Sequence, residues 1–133
     1  MHTNSGLQIY GEFRGLSRVS AKEVPEVQKE HGFVYCMTDF LNPKLVKIGH
    51  SQNVPQRENQ LNSQTASPGT LRCAFYFACS PSAVHERRIF KALSILRIAR
   101  NKEWFHMPPS LACQCLTDYF GRPPDFKAQW LQS

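Results

Sequence analysis

The apolar positions of this chain fall into short blocks separated by turn residues, and the stretch GFVYCMTDFLNPKLVKIGHS, Gly32 to Ser51, holds two of them. Phe33–Met37 is β-prone and almost wholly apolar, Asn42-Pro43 offers turn chemistry, and Leu45–Ile48 resumes the strand pattern, so a β-hairpin is predicted. With its turn centred near Leu41, Tyr35 and Lys47 become cross-strand partners on one face. Beyond the hairpin, Asn53 is a cap candidate with Pro55 in the first turn, which predicts a helix of about three turns ended by Ser67-Pro68-Gly69-Thr70. Leu71–Cys79 reads as a strand. Ser80-Pro81 reads as an N-cap followed by a first-turn proline, opening a helix that runs to about Ile98. NKEWFHM (101–107) is a turn and strand-like piece, and PPSLACQCLTDYFG (108–121) is a closing helix with Gly121 as its C-cap. A short helix is expected around Ala21–Glu30, and the Pro-rich tail is expected to pack on the core, with Trp130 available to dock.

This order predicts one α/β (α+β) domain with a small, mainly antiparallel sheet flanked by helices. Its core spans 32–107, with an N-terminal extension over 1–31 and a C-terminal helix and tail over 108–133. The chain of 133 residues is long enough to bury a core without staples. It has no bilayer-spanning apolar run, and its N-terminus lacks the basic start and apolar run of a secretory signal, so a cytoplasmic protein that does not engage membranes is expected. Five cysteines cannot all pair internally, and Cys113-Gln114-Cys115 lacks zinc-knuckle spacing; all five read as reduced core residues.

Charge changes the picture once it is divided along the chain. Residues 1–32 carry four Lys/Arg against four Asp/Glu and 108–133 carry two against two, whereas 33–107 carry ten against four. The whole excess of +6 therefore lies in the predicted core, which suits a polyanion partner, nucleic acid above all, or else a merely basic soluble protein.

Three polar residues fall where apolar ones belong. In the helix opened by Ser80-Pro81, Ile89, Phe90, Leu93 and Ser82 lie within about 60° of Glu86, which puts that carboxylate in the centre of the apolar stripe. Such a carboxylate pairs with a cation or binds one. Arg57 shares a face with Val54 and Leu61, where it points at the sheet or packs through its stem. Lys47 sits inside the second hairpin strand. Glu86 can hold one divalent cation, the Arg57 fork matches two phosphate oxygens, and a phenol flanked by cations and near a metal has its pKa pulled down toward service as a base. The constellation Tyr35, Lys47, Arg57, Glu86 suits phosphodiester hydrolysis, with Lys47 favouring the phenolate or touching the phosphate. Arg87, Arg88 and Lys91, on the other side of the Glu86 helix, together with Arg100 and Lys102, would track a nucleic-acid backbone.

At these residues the chain resembles the GIY-YIG nuclease superfamily, in particular the phage-type branch named after a coliphage open reading frame, whose second signature reads KIG. The matching pieces are FVYCM, LVKIG, PQRENQLNSQTASPG, HERRIF and NKEWF. The resemblance implies a three-stranded antiparallel sheet flanked by helices and endonucleolytic cleavage of nucleic acid, DNA before RNA, with one Mg²⁺ or Mn²⁺ per site. It makes Tyr35 the general base, Arg57 the phosphate-binding arginine and Glu86 the metal ligand, and it sets Lys47 where most of the family has a second tyrosine. Phe33 and Val34 replace the first signature's Gly and Ile. Phe90 replaces a histidine frequent in this branch, for which His50, as a substrate contact, or His85 would compensate. Glu103-Trp104-Phe105 is expected to close the core, with Glu103 or Asn101 reaching the site as the alternative. A catalytically inactive nucleic-acid-binding module on the same fold, or a basic protein-interaction module, is the alternative, and monomer and homodimer stay equally open.

Overall fold

The computed structural model describes residues 31–64, 69–98 and 101–131, the side chains of 101 and 102 aside. The helix expected at 21–30 lies outside them. The two apolar blocks form the antiparallel hairpin β1 (Gly32–Asp39) and β2 (Asn42–Ser51). Its turn is Phe40-Leu41, because the Asp39 carboxylate accepts the Leu41 N–H at 3.0 Å and closes a side-chain turn there. Asn42-Pro43 opens β2 instead. The register shifts between Thr38 and Asp39, so Tyr35 pairs with Gly49, and Lys47 pairs with Met37 rather than with Tyr35. A displacement of two residues preserves the face, and the tyrosine and the lysine still share one side of the sheet.

The helix after the hairpin, α1 (Val54–Gln64), starts where its cap predicts: Asn53 Oδ1 accepts the Gln56 N–H at 3.1 Å. β3 (Leu71–Cys79) pairs antiparallel with β1, which is thus central. α2 (Ser82–Ala92) begins one residue later than expected, with Pro81 at the cap position and no side-chain cap, so Ser80 does not serve as one. It also ends earlier, at Ala92; a 3₁₀ turn (Ser94–Leu96) follows, and Arg97–Ile98 leave the helix as β4 to pair with β5 (Asn101–His106). α3 (Pro109–Phe120) has Pro at its start and ends on Gly121 at φ 71°, the left-handed cap that glycine adopts without cost.

The expected three-stranded sheet is corrected to six antiparallel strands among the described residues, in the order β4-β5-β2-β1-β3-β6, where β6 is Phe126–Lys127. The physical reason lies at the edges. A sheet of β1 to β3 would leave the outer N–H and C=O rows of β2 and β3 unpaired, and here the short strands β5 and β6 cover part of them.

Alternation along the strands divides the core in two. Val34, Cys36, Val46, Ile48, Phe75, Phe77 and Phe105 face α2 and α3 and pack with Ile89, Leu93, Leu116 and Tyr119. Tyr35, Met37 and Leu71 face the other way, toward Val54 and Leu61 of α1. All five cysteines are free thiols in or against these layers, and burial pushes Cys73, Cys79 and Cys115 up to about 12, far from nucleophilic.

Candidate active site

α1 holds the key to the site through its stripe at i, i+3, i+4, i+7, i+8: Val54, Arg57, Glu58, Leu61, Asn62. Only two of these are apolar, and both are buried. Two of the other three bond to the sheet. Glu58 Oε2 accepts the Cys73 N–H at 2.7 Å. The Asn62 side chain donates to the Leu71 carbonyl at 3.1 Å and accepts the Leu71 N–H at 3.0 Å. Arg57 is half-buried; its Nη1 donates to Gln60 Oε1 at the rim, 3.4 Å away, and it bears on the Tyr35 hydroxyl closely enough to work that phenol's pKa downward. The arginine thus points to the sheet, as its place between Val54 and Leu61 predicts. Sequence reading missed Glu58 and Asn62, although the same helical spacing marks them.

Tyr35 is 1% exposed and lies across Gly49, its register partner: a Cβ on that glycine would stand 2.5 Å from the tyrosine Oη and 2.7 Å from Cζ. The glycine of the second signature therefore makes room for the phenol of the first. Burial pushes the Tyr35 pKa up from its ordinary value; the Arg57 hydrogen bond and charge work downward, and the carboxylates of Glu103 and Glu86 work upward. The side chains alone therefore do not pull the phenol down; the expectation joins a bound metal to the flanking cations. Two carboxylates reach it electrostatically, and burial outweighs the one cation in contact.

Lys47, 7% exposed, is ion-paired with Glu103 on β5, and its amine lies 5.8 Å from the centroid of Trp104, its register partner. Its charge is thus answered within the protein. Glu103 takes the alternative of its two expected places and reaches the site's edge with its side chain 40% exposed.

Glu86 is at the margin of the buried face of α2, not at its centre. His85 and Ala92 are buried as well as Ile89, Phe90 and Leu93, and they lie about 100–120° round the helix from Glu86, which moves the centre of the arc away from it. The Glu86 side chain is 15% exposed, and its Oε1 stands 3.0 Å from Nδ1 of His50, which projects from β2 on the α2 side. His85 does not join them. It is buried against Tyr119, with Nδ1 2.6 Å from that hydroxyl, and burial together with the Arg88 charge lowers its pKa. Arg87 and Lys91 are exposed on the outer face of α2, and Arg88 is half-buried. Arg100 and the Lys102 side chain lie outside the described residues.

Among the described residues no three His, Cys, Asp or Glu come together as a metal cage. The donor at hand is one hard, partly open carboxylate. That fits Mg²⁺ or Mn²⁺, which keep most of their waters and take one or two carboxylates plus substrate oxygens. No helix among the described residues is long and apolar enough to cross a membrane.

Comparison with known proteins gives one positive finding: the family model described as the T5orf172 domain matches residues 32–119. No curated protein and no solved structure matches the chain. The match begins at the first residue of β1, ends within α3, and takes in Tyr35, Lys47, His50, Arg57, Glu86 and Glu103. Covering well over half of the sequence, it places the chain in the T5orf172 domain family, a nuclease-like phage domain related to the GIY-YIG group.

Proposed function

We propose that the protein is a divalent-metal-dependent endonuclease hydrolysing phosphodiester bonds of nucleic acid, DNA first, at Tyr35, Arg57 and Glu86. The observation that carries this reading is the buried Tyr35 hydroxyl lying across Gly49, on which Arg57 from α1 and Glu86 from α2 both bear electrostatically. Glu86 comes from the α2 side of the sheet and Tyr35 and Arg57 from the α1 side, so a phosphate with its metal would have to bridge the two; a guanidinium, a phenol and a carboxylate answer the demands of a phosphoryl site.

Arg57 would leave the phenol for the phosphate, whose two oxygens fit its fork, and there stabilise the added negative charge of the transition state. Glu86 would hold the metal, with His50 fixing the carboxylate's direction from behind. When bound, one Mg²⁺ or Mn²⁺ supplies polarisation of the phosphate and offsets charge on the leaving oxygen. Tyr35 would take the proton of the attacking water. In the free protein burial holds the pKa of that phenol up, so its service as a base would need positive charge brought close to it. Lys47 acts at one remove: its ion pair with Glu103 answers part of one of the two carboxylate charges that add to the effect of burial on the phenol. Arg87 and Lys91, exposed beside Glu86 on α2, suit contact with the backbone on either side of the cut.

The 1% exposure of Tyr35 favours a second reading, a catalytically inactive nucleic-acid-binding module. Glu86→Gln separates the two. The substitution keeps the shape and leaves the backbone-binding cations in place, so folding and nucleic-acid binding should hold. Mg²⁺-dependent cleavage should fall by several orders of magnitude. A parent protein that binds but cuts no nucleic acid with Mg²⁺ or Mn²⁺ establishes the inactive module, and a variant that cuts at the parent rate removes Glu86 from the site.

A further inference from the structure

The face of the sheet that carries Tyr35 does not end at that residue. Across the strands Tyr35 pairs with Tyr76 of β3, and Tyr76 pairs with Phe126 of β6, giving a row that runs from the candidate site to the sheet's edge. The Tyr76 and Phe126 rings stack, with centroids 5.3 Å apart and planes 21° from parallel. Phe126 is 40% exposed and Trp130 is 42% exposed, an unusual outlay of apolar surface unless something covers it. Between this row and α1 lies a cavity of about 280 Å³ whose walls include Tyr76, Phe126, Trp130 and Val54, with Glu58 and Arg72 as its charged members. Aromatic walls and a few polar groups suit a flat molecule with apolar faces and hydrogen-bonding edges. Glu58 follows Arg57 on α1 and Tyr76 is the register partner of Tyr35, so the cavity adjoins the place where the scissile phosphate would lie.

We propose that this cavity takes one unstacked nucleobase next to the scissile phosphate, so that the substrate is single-stranded or locally unpaired nucleic acid. The proposal rests on the nuclease reading for the position of the phosphate, though base capture itself needs no cleavage. A base within a duplex presents only its edge in a groove, whereas a single-stranded base offers a face to Phe126 or Trp130 and its edge to Glu58 or Arg72. The basic excess of 33–107 supplies the backbone attraction that such a pocket lacks.

The test measures binding of the full chain in EDTA, so that its result does not depend on cleavage. Fluorescently labelled 12-mers of one sequence are compared as single-stranded DNA, single-stranded RNA and duplex DNA, each at several salt concentrations. At least one single strand should bind more tightly than the duplex, and the better of the two names the sugar. Phe126→Ala and Trp130→Ala should each weaken single-strand binding by about 5- to 150-fold and leave duplex binding nearly unchanged. Trp130→Leu, which keeps apolar bulk for folding, should lose most of the same affinity. Oligonucleotides abasic at successive positions should include one that binds as weakly to the parent as the intact strand binds to Trp130→Ala, with no further loss when the two changes are combined. Equal affinity for strand and duplex, or variants at the parent's affinity, overturns the proposal. A parent that binds this way yet never cuts leaves base capture standing and removes the nuclease reading alone.

Discussion

Gly49→Ala adds a single methyl group to a glycine whose neighbour is the candidate base. The new Cβ would stand 2.5 Å from Tyr35 Oη, 2.7 Å from Cζ and 3.2 Å from Cε1, against 3.4 Å or more for ordinary van der Waals contact. Relief requires the phenol to retreat by about 0.9 Å at the hydroxyl, and its ring is packed with Met37, Val54, Leu61 and Leu71 and cannot swing free. Overpacking of this kind costs about 1–3 kcal/mol. For a chain of this size that lowers Tm by roughly 4–12 °C. The effect on chemistry should be larger than the loss of stability suggests, because the retreat misplaces the reacting oxygen; a displacement of about 1 Å costs on the order of 10²-fold in rate. Cleavage of a labelled oligonucleotide is to be measured well below the variant's own Tm, beside Tyr35→Phe and the double variant. Since both changes act through one hydroxyl, the double variant should cut no more slowly than Tyr35→Phe alone, within about threefold. Parent-like Tm and parent-like cleavage in Gly49→Ala would refute the account of why a glycine stands beside this tyrosine.

Three further outcomes follow from the same geometry. Glu103→Gln leaves the Lys47 ammonium buried without its carboxylate; since Glu103 is itself partly solvated, the cost should be about 1–2 kcal/mol, read as a lower urea midpoint. If Tyr35 is the base, its raised pKa makes log rate climb with slope near one from pH 7 through pH 9, and a plateau in that window would assign the proton to another group. The lowered pKa of His85 means that the unfolded chain takes up this proton more readily than the folded one; the stability is full above about pH 6.5 and is lost as pH falls toward the folded value, so Tm should drop from pH 7 to pH 5 and drop less in His85→Phe.

Local signals made much of this fold legible in the sequence. β1, β2 and β3 lie where their apolar blocks are, Asn53 caps α1, and Gly121 ends α3, because each is decided by a few neighbouring residues. What depended on distant partners was not legible. β4 and β6 are two residues long and have no period to read; they exist because β5 and β3 offer open edges. The apolar spacing of Ile95, Leu96 and Ile98 suggests that α2 continues, but pairing of Arg97 with Phe105 wins and leaves Ile95 exposed. At the site, Arg57 was marked by its helical face and meets Tyr35, whereas Lys47 was marked only as an anomaly. Its partner Glu103 lies 56 residues away, and no spacing rule joins them.

α1 is attached to the sheet in a way that separates the fate of the site from the fate of the fold. The helix buries only Val54 and Leu61, and the rest of its grip is polar: a carboxylate and an amide, four residues apart, clasping the backbone of β3. Elements held by few apolar contacts open at lower free energy than the core on which they rest. α1 can therefore lift away while the sheet and the layer beneath α2 and α3 stay closed, and Arg57 leaves with it. Warming or mild denaturant would then silence the site before the protein unfolds, so the working range of the molecule is set by one clasped helix rather than by its global melting point.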